Sequence, residues 1–523
     1  MPFRIKLKAD LINSVLLSII ASVLITISFP PLSLWWLSFV GLIPFFFSLE
    51  KTASAKKSLI CGFLFGVIHG AGMGYWLVKS LMESYDKSPG MAIFFLLLCI
   101  CLPTGLLFSL FALSYRFFQK SGLFFYCLVV PSLWITTDLL KELIPVLIPW
   151  GSVGYCLTPF SEFIQIADLG GIYLITYLVL MINSLLYHLI TLINQKKQLK
   201  TTTRRAYIFN ISISITILLS AFLIPQQYGS FKISKYNAIT EPESSLSATI
   251  VQGNFSQNDR WSGEGFYQRL QTYLKLSTPD ENIDNISKNI VIWPETVLNS
   301  SNKLTNQLFA RIIASIGKKT ILVAGGLRND SGSRNVYNTA YVISGEGLLQ
   351  WYDKKILLPY AEKTPIPWLL GKYYNAPSTF LPGELPATIS ISSSIIGLSI
   401  CFESLYPHHV RKTVSNGAKL LVNISNDAWF GKTSMPELHL NASCIRAIEN
   451  RRYLLRASNS GFSAIISPLG RVNLKTDLFV QDAISAPITQ LTQKSFYVKY
   501  GEWVAYLTAL IILFSLIKII YSE

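Results

Sequence analysis

Long apolar segments separated by short polar ones fill the first 225 residues, and another apolar segment follows residue 500. A helix crosses the hydrocarbon core of a bilayer with roughly 17–25 mostly apolar residues. Eight segments reach that length, at about 11–29, 32–49, 58–78, 90–114, 121–137, 165–193, 206–224 and 501–521. The pattern therefore predicts a multi-span α-helical membrane domain, with seven spans in 1–225 and the eighth in 501–523.

Between residues 226 and 500 the apolar runs shorten to the length of strands. Strands are predicted at 247–252, 289–293, 320–325, 338–344, 395–400, 419–424 and 462–467. Helices are predicted between several of them, at 264–276, 303–316, 404–415 and 437–450. Strands that alternate with helices are typical of a layered α/β domain. We therefore predict a separate α/β domain over 226–500, whose first residues, 226–245, form a linker.

The composition agrees with a membrane protein, and the distribution of charge predicts its orientation. The chain is 51% hydrophobic and only 14% charged, where soluble domains are about a quarter charged. The net charge of +16 is compatible with binding to nucleic acid, with binding to anionic lipid, or with basic residues concentrated in cytoplasmic loops. One set of loops holds thirteen basic residues, namely Arg4, Lys6, Lys8, Lys51, Lys56, Lys57, Arg116, Lys120, Lys196, Lys197, Lys200, Arg204 and Arg205.

The alternate short loops hold only three basic residues, Lys79, Lys87 and Lys141. Because cytoplasmic loops carry the excess of Lys and Arg, both termini are predicted to be cytoplasmic and the 226–500 domain extracytoplasmic. The first span follows a basic segment but lacks a small-residue cleavage site, which predicts an uncleaved anchor. Because the membrane topology accounts for much of the excess positive charge, we do not expect a nucleic-acid partner.

The third span carries a run of small residues with two readings. Glycines recur at Gly62, Gly66, Gly70, Gly72 and Gly74. Small residues let neighbouring membrane helices approach closely, and the same run would also form a groove that admits acyl chains. The sequence leaves both readings open.

A candidate nucleophile, Cys401, ends the apolar run Gly397–Ile400. A thiol becomes reactive when a helix N-terminus or a nearby cation lowers its pKa. Here a strand ends at the cysteine and a helix is predicted directly after it, so the Phe402 amide would point to a developing oxyanion. The alternatives are a buried structural cysteine and a disulfide with Cys444. The chain has only seven cysteines, which is not a disulfide-rich scaffold.

Two further polar residues follow apolar runs, where open α/β sheets place their sites. Glu295 ends the run Val291–Pro294 and is a candidate general base, or else an ordinary acidic residue of a first helical turn. Lys354 is a candidate oxyanion stabiliser, or else a solvated surface lysine. The histidines show no Cys–His dyad and no zinc spacing, so no metal and no cofactor are predicted.

At these residues the chain resembles the nitrilase superfamily, whose members use a Glu–Lys–Cys triad on an αββα sandwich. With the predicted spans it is similar to the membrane-integral branch of that superfamily, the apolipoprotein N-acyltransferases. The resemblance covers nearly the whole chain. The motifs that carry it are Gln252–Asn254, Trp293–Glu295, Tyr352–Lys354 with Leu358–Pro359 and Glu362, Cys401–Glu403, Asn423–Gly431, Arg446–Asn450 and Leu454–Ala457.

The resemblance implies Glu295 as general base, Lys354 as oxyanion stabiliser and Cys401 as nucleophile. It implies supporting roles for Glu362, Phe402 and Glu403. It also implies substrate-binding roles for Trp261, Trp429 and Asn426. The chain departs from the family pattern at Phe402, where a tyrosine is usual; the backbone N–H remains but the phenolic hydroxyl is lost.

The activity that the resemblance implies is lipoprotein maturation in the bacterial inner membrane. An acyl chain of a phospholipid, with phosphatidylethanolamine the expected donor, would pass through a Cys401 thioester to the α-amine of an S-diacylglyceryl-cysteine in an apolipoprotein. The alternative is a membrane-anchored amidase that hydrolyses small amides with the same triad. Eight spans favour the lipid reaction, because one anchor is enough for an amidase.

Overall fold

The chain divides into two compact units, Met1–Lys232 with Glu502–Glu523, and Ile233–Gly501. The computed structural model describes residues 2–50, 54–119, 122–144, 146–195, 204–238, 246–256, 265–277, 289–298, 306–317, 320–329, 336–344, 347–364, 380–391 and 394–521.

The first unit is helical. Its helices are α1 Pro2–Ile27, α2 Ile43–Glu50, α3 Ala55–Gly74, α4 Trp76–Tyr85, α5 Pro89–Leu96, α6 Leu102–Phe118, α7 Gly122–Phe124, α8 Val130–Leu143, α9 Ser161–Ile164, α10 Ala167–Gln195 and α11 Arg204–Ala238. A further helix, Trp503–Ile520, completes this unit. Wider π-helical turns join α5 to α6 and α7 to α8, so each pair forms one continuous helix. A kink at Gly170–Gly171 bends α10.

Six helices among the described residues are long and apolar enough to cross a membrane. They are Ala55–Gly74, Pro89–Phe118, Gly122–Leu143, Ala167–Asn194, Tyr207–Asn237 and Trp503–Ile520. The first two predicted spans correspond to shorter apolar stretches, Leu11–Ile27 and Trp35–Glu50. Several long apolar helices are therefore confirmed, whereas the count of eight spans stays a prediction.

The glycines of α3 allow close helix packing. A Cβ added to Gly62 would lie 2.3 Å from the Phe108 carbonyl oxygen of α6, and one added to Gly66 would lie 2.4 Å from that of Thr104. Real Cβ atoms do not approach so closely, so α3 and α6 meet backbone to backbone at these two positions. This geometry favours the packing reading over an acyl-chain groove at Gly62 and Gly66.

The second unit is built on two six-stranded sheets. Its strands are β1 Leu246–Gln252, β2 Asn289–Ile292, β3 Thr320–Asn329, β4 Val336–Ser344, β5 Gly347–Asp353, β6 Thr388–Ile391, β7 Ser394–Ile400, β8 Leu420–Ser425, β9 Leu454–Ser458, β10 Ala464–Ile466, β11 Val472–Lys475 and β12 Asp482–Ile488. One sheet has the order β12-β1-β2-β3-β4-β5 and the other β11-β10-β9-β8-β7-β6. The centre of each sheet is parallel, β1 to β3 in one and β7 to β9 in the other.

Helices cover both sheets with apolar side chains. The helices of this unit are α12 Phe266–Leu276, α13 Asn306–Ile316, α14 Pro407–Ser415, α15 Met435–Asn450 and α16 Phe496–Tyr500. Tyr273 of α12 and Ile312 of α13 pack with Val291 and Leu322 of the first sheet. Val414 of α14 and Ala447 of α15 pack with Leu421 and Leu454 of the second. The predicted α/β sheet domain is confirmed, and its parallel strands end at one edge of each sheet.

Five strands lie outside the predicted set: β5, β6, β9, β11 and β12. Two of them show why. Strand β12 carries Pro487 and lies at the edge of its sheet, where proline is tolerated because no further strand needs its missing N–H. Strand β9 carries the buried Arg456, and this charged residue interrupts the apolar pattern of the strand. Its charge is paired with that of Asp427, which lies 29 positions away in the sequence.

Candidate active site

Glu295 is positioned by a tight backbone contact after β2. Trp293 is fully buried, and its indole N–H donates to Ser277 Oγ at 2.8 Å. A Cβ added to Gly325 of β3 would lie 2.5 Å from Glu295 Cα, so only glycine lets this turn pack against β3. The Glu295 N–H reaches the carbonyl oxygen of Ser425, at the end of β8, at 3.4 Å. The turn therefore directs Glu295 toward the strand ends of the second sheet.

Lys354 follows β5 and lies between two carboxylates. Its side chain is buried, with 1% of the residue exposed. Its Nζ lies 2.9 Å from Glu362 Oε1 and 3.5 Å from Glu295 Oε1. Burial alone would lower the pKa of Lys354, but the charges of Glu362 and Glu295 outweigh it and raise that pKa well above its usual range. The ammonium therefore stays charged throughout the physiological range, as an oxyanion stabiliser must.

Asn338 of β4 joins the two carboxylates. Its Nδ2 donates to Glu295 Oε1 at 2.7 Å and to Glu362 Oε1 at 3.0 Å. Its backbone carbonyl accepts from the Lys354 N–H at 2.8 Å. One strand residue thus fixes three charged groups relative to each other. The sequence analysis did not select Asn338; the one available signal was an amide within an otherwise apolar strand.

Cys401 occupies a strained turn between β7 and a 3-10 helix, Cys401–Leu405. Its φ is +53°, a left-handed conformation that is unusual for a residue with a side chain. Burial raises the pKa of the Cys401 thiol to about 12; the Glu295 charge also raises it, whereas the Lys354 charge lowers it. The thiol is therefore protonated at neutral pH, and it lies within the electrostatic reach of both groups.

The structure thus brings Glu295, Lys354 and Cys401 to one place at the strand ends. The charge of Glu295 acts on both the thiol and Lys354, whereas Glu362 acts on Lys354. Glu362 also accepts from the Leu358 N–H at 2.7 Å through its second oxygen. Cys401 and Cys444 are both free, so the disulfide considered from sequence is absent.

Glu403 links the two strand ends that carry Lys354 and Cys401. It is fully buried. Its Oε1 accepts from the Tyr352 hydroxyl at 2.7 Å and the Lys355 N–H at 2.7 Å, and its Oε2 accepts from the Ile400 N–H at 2.8 Å. Hydrogen bonds from several N–H and O–H donors fix the position of this carboxylate. The predicted supporting role therefore has a geometric basis: Glu403 connects β5 to β7 across the two sheets.

A buried polar network lies beneath the Cys401 carbonyl. His439 Nε2 is 3.1 Å from that oxygen, and Asn423 Nδ2 donates to it at 3.4 Å. Arg456 Nη2 lies 2.9 Å from His439 Nδ1 and 2.7 Å from Asp427 Oδ2. The sequence analysis saw no role for His439, because its partners are 12 to 38 positions away and only the fold brings them together.

The remaining predicted site residues occupy different environments. Phe402 is buried, with its ring centroid 5.3 Å from that of Tyr406. Asn426 is buried directly after β8, and Trp429 lies half-buried on the 3-10 helix Asp427–Phe430. Trp261 lies outside the described residues. The described part of the chain holds no cluster of three His, Cys, Asp or Glu side chains suited to a metal ion.

Two families match the two halves of the chain. Residues 21–185 match the family described as "Apolipoprotein N-acyltransferase N-terminal domain", and residues 247–495 match "Carbon-nitrogen hydrolase". The two-sheet fold and its Glu–Lys–Cys cluster accordingly define a nitrilase-like domain, as the sequence analysis predicted. That domain follows several long apolar helices.

Curated relatives match this chain over nearly its full length. The protein named "Apolipoprotein N-acyltransferase" of Geobacter metallireducens is 26% identical over 500 residues, which cover 93% of this chain and 91% of the relative. The protein of that name from Wigglesworthia glossinidia brevipalpis is 26% identical over 91% of this chain and 92% of the relative. Both domain matches lie in order along the chain, and the chain is similar over nearly its full length to proteins named apolipoprotein N-acyltransferase, which confirms the predicted resemblance.

Solved structures similar to this chain include Nit3 of Saccharomyces cerevisiae, a member of the nitrilase superfamily. It is 18% identical, with a TM-score of 0.36, and the match covers 48% of this chain and 91% of that one.

Proposed function

We propose that this chain transfers an acyl chain from a phospholipid to the α-amine of an S-diacylglyceryl-cysteine at the N-terminus of an apolipoprotein. The two domain matches and the similarity over nearly the full length to proteins named apolipoprotein N-acyltransferase support this activity. The observation that carries the proposal is the placement of Glu295, Lys354 and Cys401 together at the strand ends. Phosphatidylethanolamine is the proposed donor.

In the first half-reaction, Glu295 takes the thiol proton and Cys401 Sγ attacks the ester carbonyl carbon. The charge that develops on the carbonyl oxygen is stabilised by the Lys354 ammonium, which remains protonated because two carboxylates surround it. The C–O bond to glycerol then breaks, and Glu295 returns the proton to the departing alkoxide. The products are a Cys401 thioester and a lysophospholipid.

In the second half-reaction, the α-amine attacks the thioester carbonyl. Glu295 takes a proton from the attacking nitrogen, the C–S bond breaks, and Cys401 is reprotonated. Glu362 and Asn338 act by positioning, because they hold Lys354 and Glu295 in place. Phe402 contributes its backbone N–H to the oxyanion in this scheme, while Trp261, Trp429 and Asn426 contact the substrates.

A product assay distinguishes this reaction from amide hydrolysis. The full-length protein in detergent is incubated with phosphatidylethanolamine and a diacylglyceryl-cysteine peptide, and the mass of the peptide is measured by mass spectrometry. We expect one added acyl chain, no product from Cys401→Ala, and normal product from Cys444→Ala, which removes a buried thiol elsewhere. Hydrolysis of small amides without any acylated peptide would contradict the proposal and favour the amidase.

The proposed site of action is the outer face of the bacterial inner membrane. The distribution of thirteen basic residues against three supports an extracytoplasmic 226–500 domain with both termini in the cytoplasm. Lipid substrates reach such a domain from the outer leaflet without crossing the bilayer.

A further inference from the structure

A small cavity inside the helical unit has a mixed lining. Its volume is about 40 Å³, which is room for a few water molecules or for one polar group. Apolar side chains from α3, α6 and the segment before α9 form most of the wall, including Met73, Leu107 and Ile148. Two ionisable side chains, His69 and Lys141, also line it. Ionisable groups are rare among membrane-spanning helices and usually functional.

Lys141 belongs to a buried ion pair. Its Nζ lies 2.8 Å from Asp138 Oδ1, and only 7% of the residue is exposed. Asp138 Oδ2 accepts from the Ser152 hydroxyl at 2.8 Å, so both carboxylate oxygens are used. The pair carries no net charge, yet the ammonium has three N–H bonds and gives one to Asp138. Lys141 therefore presents hydrogen-bond donors to the cavity without excess positive charge.

The tautomer of His69 follows from its partner. Thr26 Oγ1 lies 3.1 Å from His69 Nδ1, and this is the only partner of the Thr26 hydroxyl among the described residues. A poorly solvated hydroxyl donates where it can, so Thr26 donates to Nδ1 and the proton of the ring lies on Nε2. A Cβ added to Gly151 would lie 3.6 Å from Nε2, which places this nitrogen beside the loop that follows Trp150.

His69 Nε2 has no partner of its own within the described part of the chain, although the residue is only 3% exposed. A donor that faces a mostly apolar cavity gains free energy when it pairs with an acceptor. His69 and Lys141 both line the cavity, so an acceptor bound there would lie beside both side chains. Two donors thus converge on a space of the size of one polar group.

We propose that this cavity binds the ester carbonyl of a glycerolipid, with His69 and Lys141 as the donors. The charge balance favours an uncharged acceptor, because a phosphate would enter a buried site whose cation is already neutralised by Asp138. The apolar wall suits the methylenes that flank an ester. The proposal rests on the proposed function for its ligand class, since both proposed substrates carry glyceryl esters.

A purely structural role is the competing explanation. The Asp138–Lys141 pair also fixes Ser152, whose hydroxyl lies 2.9 Å from Thr176 Oγ1 of α10. That network would hold the loop to the bundle without any ligand. It does not involve His69, so His69 separates the two explanations.

The test compares ester and ether lipids, which differ in the carbonyl oxygen. Full-length protein carrying Cys401→Ala, which cannot turn over, is titrated with diacyl phosphatidylethanolamine and with its dialkyl ether, and bound lipid is measured by native mass spectrometry. We expect the ester to bind roughly fivefold more tightly, the ratio for one neutral hydrogen bond. His69→Phe removes one of the two donors and should reduce the preference, whereas His188→Phe, a histidine stacked on Tyr126 away from the cavity, should leave it unchanged.

Equal binding of the two lipids by the Cys401→Ala protein, or a preference that is undiminished in His69→Phe, would overturn the proposal. If His69→Phe does not fold, Thr26→Val serves instead, because it removes the hydroxyl that fixes the Nε2–H tautomer and should weaken the preference. A parallel titration with diacylglyceryl and dialkylglyceryl peptides shows whether the donor or the acceptor lipid occupies the site. Acylation of Cys401 in the unmodified protein is measured separately, so failure of this site and failure of the proposed function are distinguishable.

Discussion

At the scale of single residues, the site combines an unreactive thiol with a permanently charged amine. Burial and Glu295 both raise the pKa of Cys401, and Lys354 opposes them. The thiol therefore does not depend on spontaneous ionisation at neutral pH. It needs a base that acts during the attack, and the structure places Glu295 within electrostatic reach. This arrangement protects the resting thiol from oxidants, because oxidation follows thiolate character.

The first prediction separates the charge of Glu295 from its role as a base. Glu295→Gln removes a negative charge, so the pKa of Cys401 should fall and its alkylation by iodoacetamide at pH 8 should accelerate several-fold; one pKa unit corresponds to about tenfold more thiolate. Acyl transfer should nevertheless drop by roughly 10² or more. Glu384→Gln, at an exposed glutamate, should change neither rate. Parallel loss of alkylation and transfer would show that Glu295 only maintains the fold.

The second prediction concerns the network beneath Cys401. Burial would raise the pKa of Asp427, but Arg456 and His439 outweigh it and lower that pKa below its usual range. A lowered carboxyl pKa stabilises the fold above the unfolded-state pKa, and this contribution is lost as pH falls through the folded-state value. Asp427→Asn should therefore cost about 3–5 kcal/mol at pH 7, because Arg456 is left buried and unpaired.

Thermal unfolding in detergent measures this cost, with the exposed Asp477→Asn as the control. The difference between Asp427→Asn and the unmodified protein should stay constant from pH 8 to pH 5 and shrink only in strong acid. A difference that already disappears between pH 7 and pH 5 would contradict the lowered pKa.

At the scale of elements, glycine contacts and strand ends build the site and the bundle. Gly325 lets the Glu295 turn lie on β3, and Gly62 and Gly66 let α3 lie on α6. Strand ends at Ile292, Asp353 and Ile400 precede the three central residues. Glu403 then connects β5 to β7.

A matched pair of glycine substitutions tests the helix contact. Gly66→Ala places a Cβ 2.4 Å from the Thr104 carbonyl oxygen, whereas a Cβ at Gly90 meets nothing within 4 Å. Gly66→Ala should lower the free energy of unfolding by about 1–3 kcal/mol through overpacking. Gly90→Ala should be neutral or slightly stabilising. Equal unfolding temperatures for both variants would mean that α3 and α6 are not in backbone contact.

The strand-end residues were predictable from sequence because apolar runs stop there. Glu295 and Cys401 each follow such a run directly, so their positions at the sheet edge followed from local pattern alone. Asn338 and His439 were not predictable, because their roles depend on partners 24 to 43 and 12 to 38 positions away. Strand β5, which ends directly before Lys354, was also missed; Gln350 and Trp351 interrupt its apolar alternation.

At the scale of the whole molecule, the chain joins a bundle of apolar helices to a nitrilase-like domain, and relatives named apolipoprotein N-acyltransferases share both parts over their full length. The small ester site proposed in the helical unit gives that unit a role beyond anchoring. The proposed orientation across the membrane rests on the distribution of charge alone and has its own test.

Single introduced cysteines report the orientation. Asn473→Cys lies at an exposed position of β11, and Lys56→Cys at an exposed position in the first turn of α3. The seven native cysteines are buried, which keeps background labelling low. A membrane-impermeant maleimide should label Asn473→Cys in intact spheroplasts and label Lys56→Cys only after lysis. The reverse pattern would place the catalytic unit in the cytoplasm.

The most direct test of the central claim is the mass of the Cys401 peptide after incubation of the purified protein with phospholipid. We predict one acyl chain on Cys401, removed when a diacylglyceryl-cysteine peptide with a free amine is added and retained when that amine is acetylated. An unmodified Cys401 peptide under turnover conditions, or an acyl mass that persists in Cys401→Ala, would contradict the account.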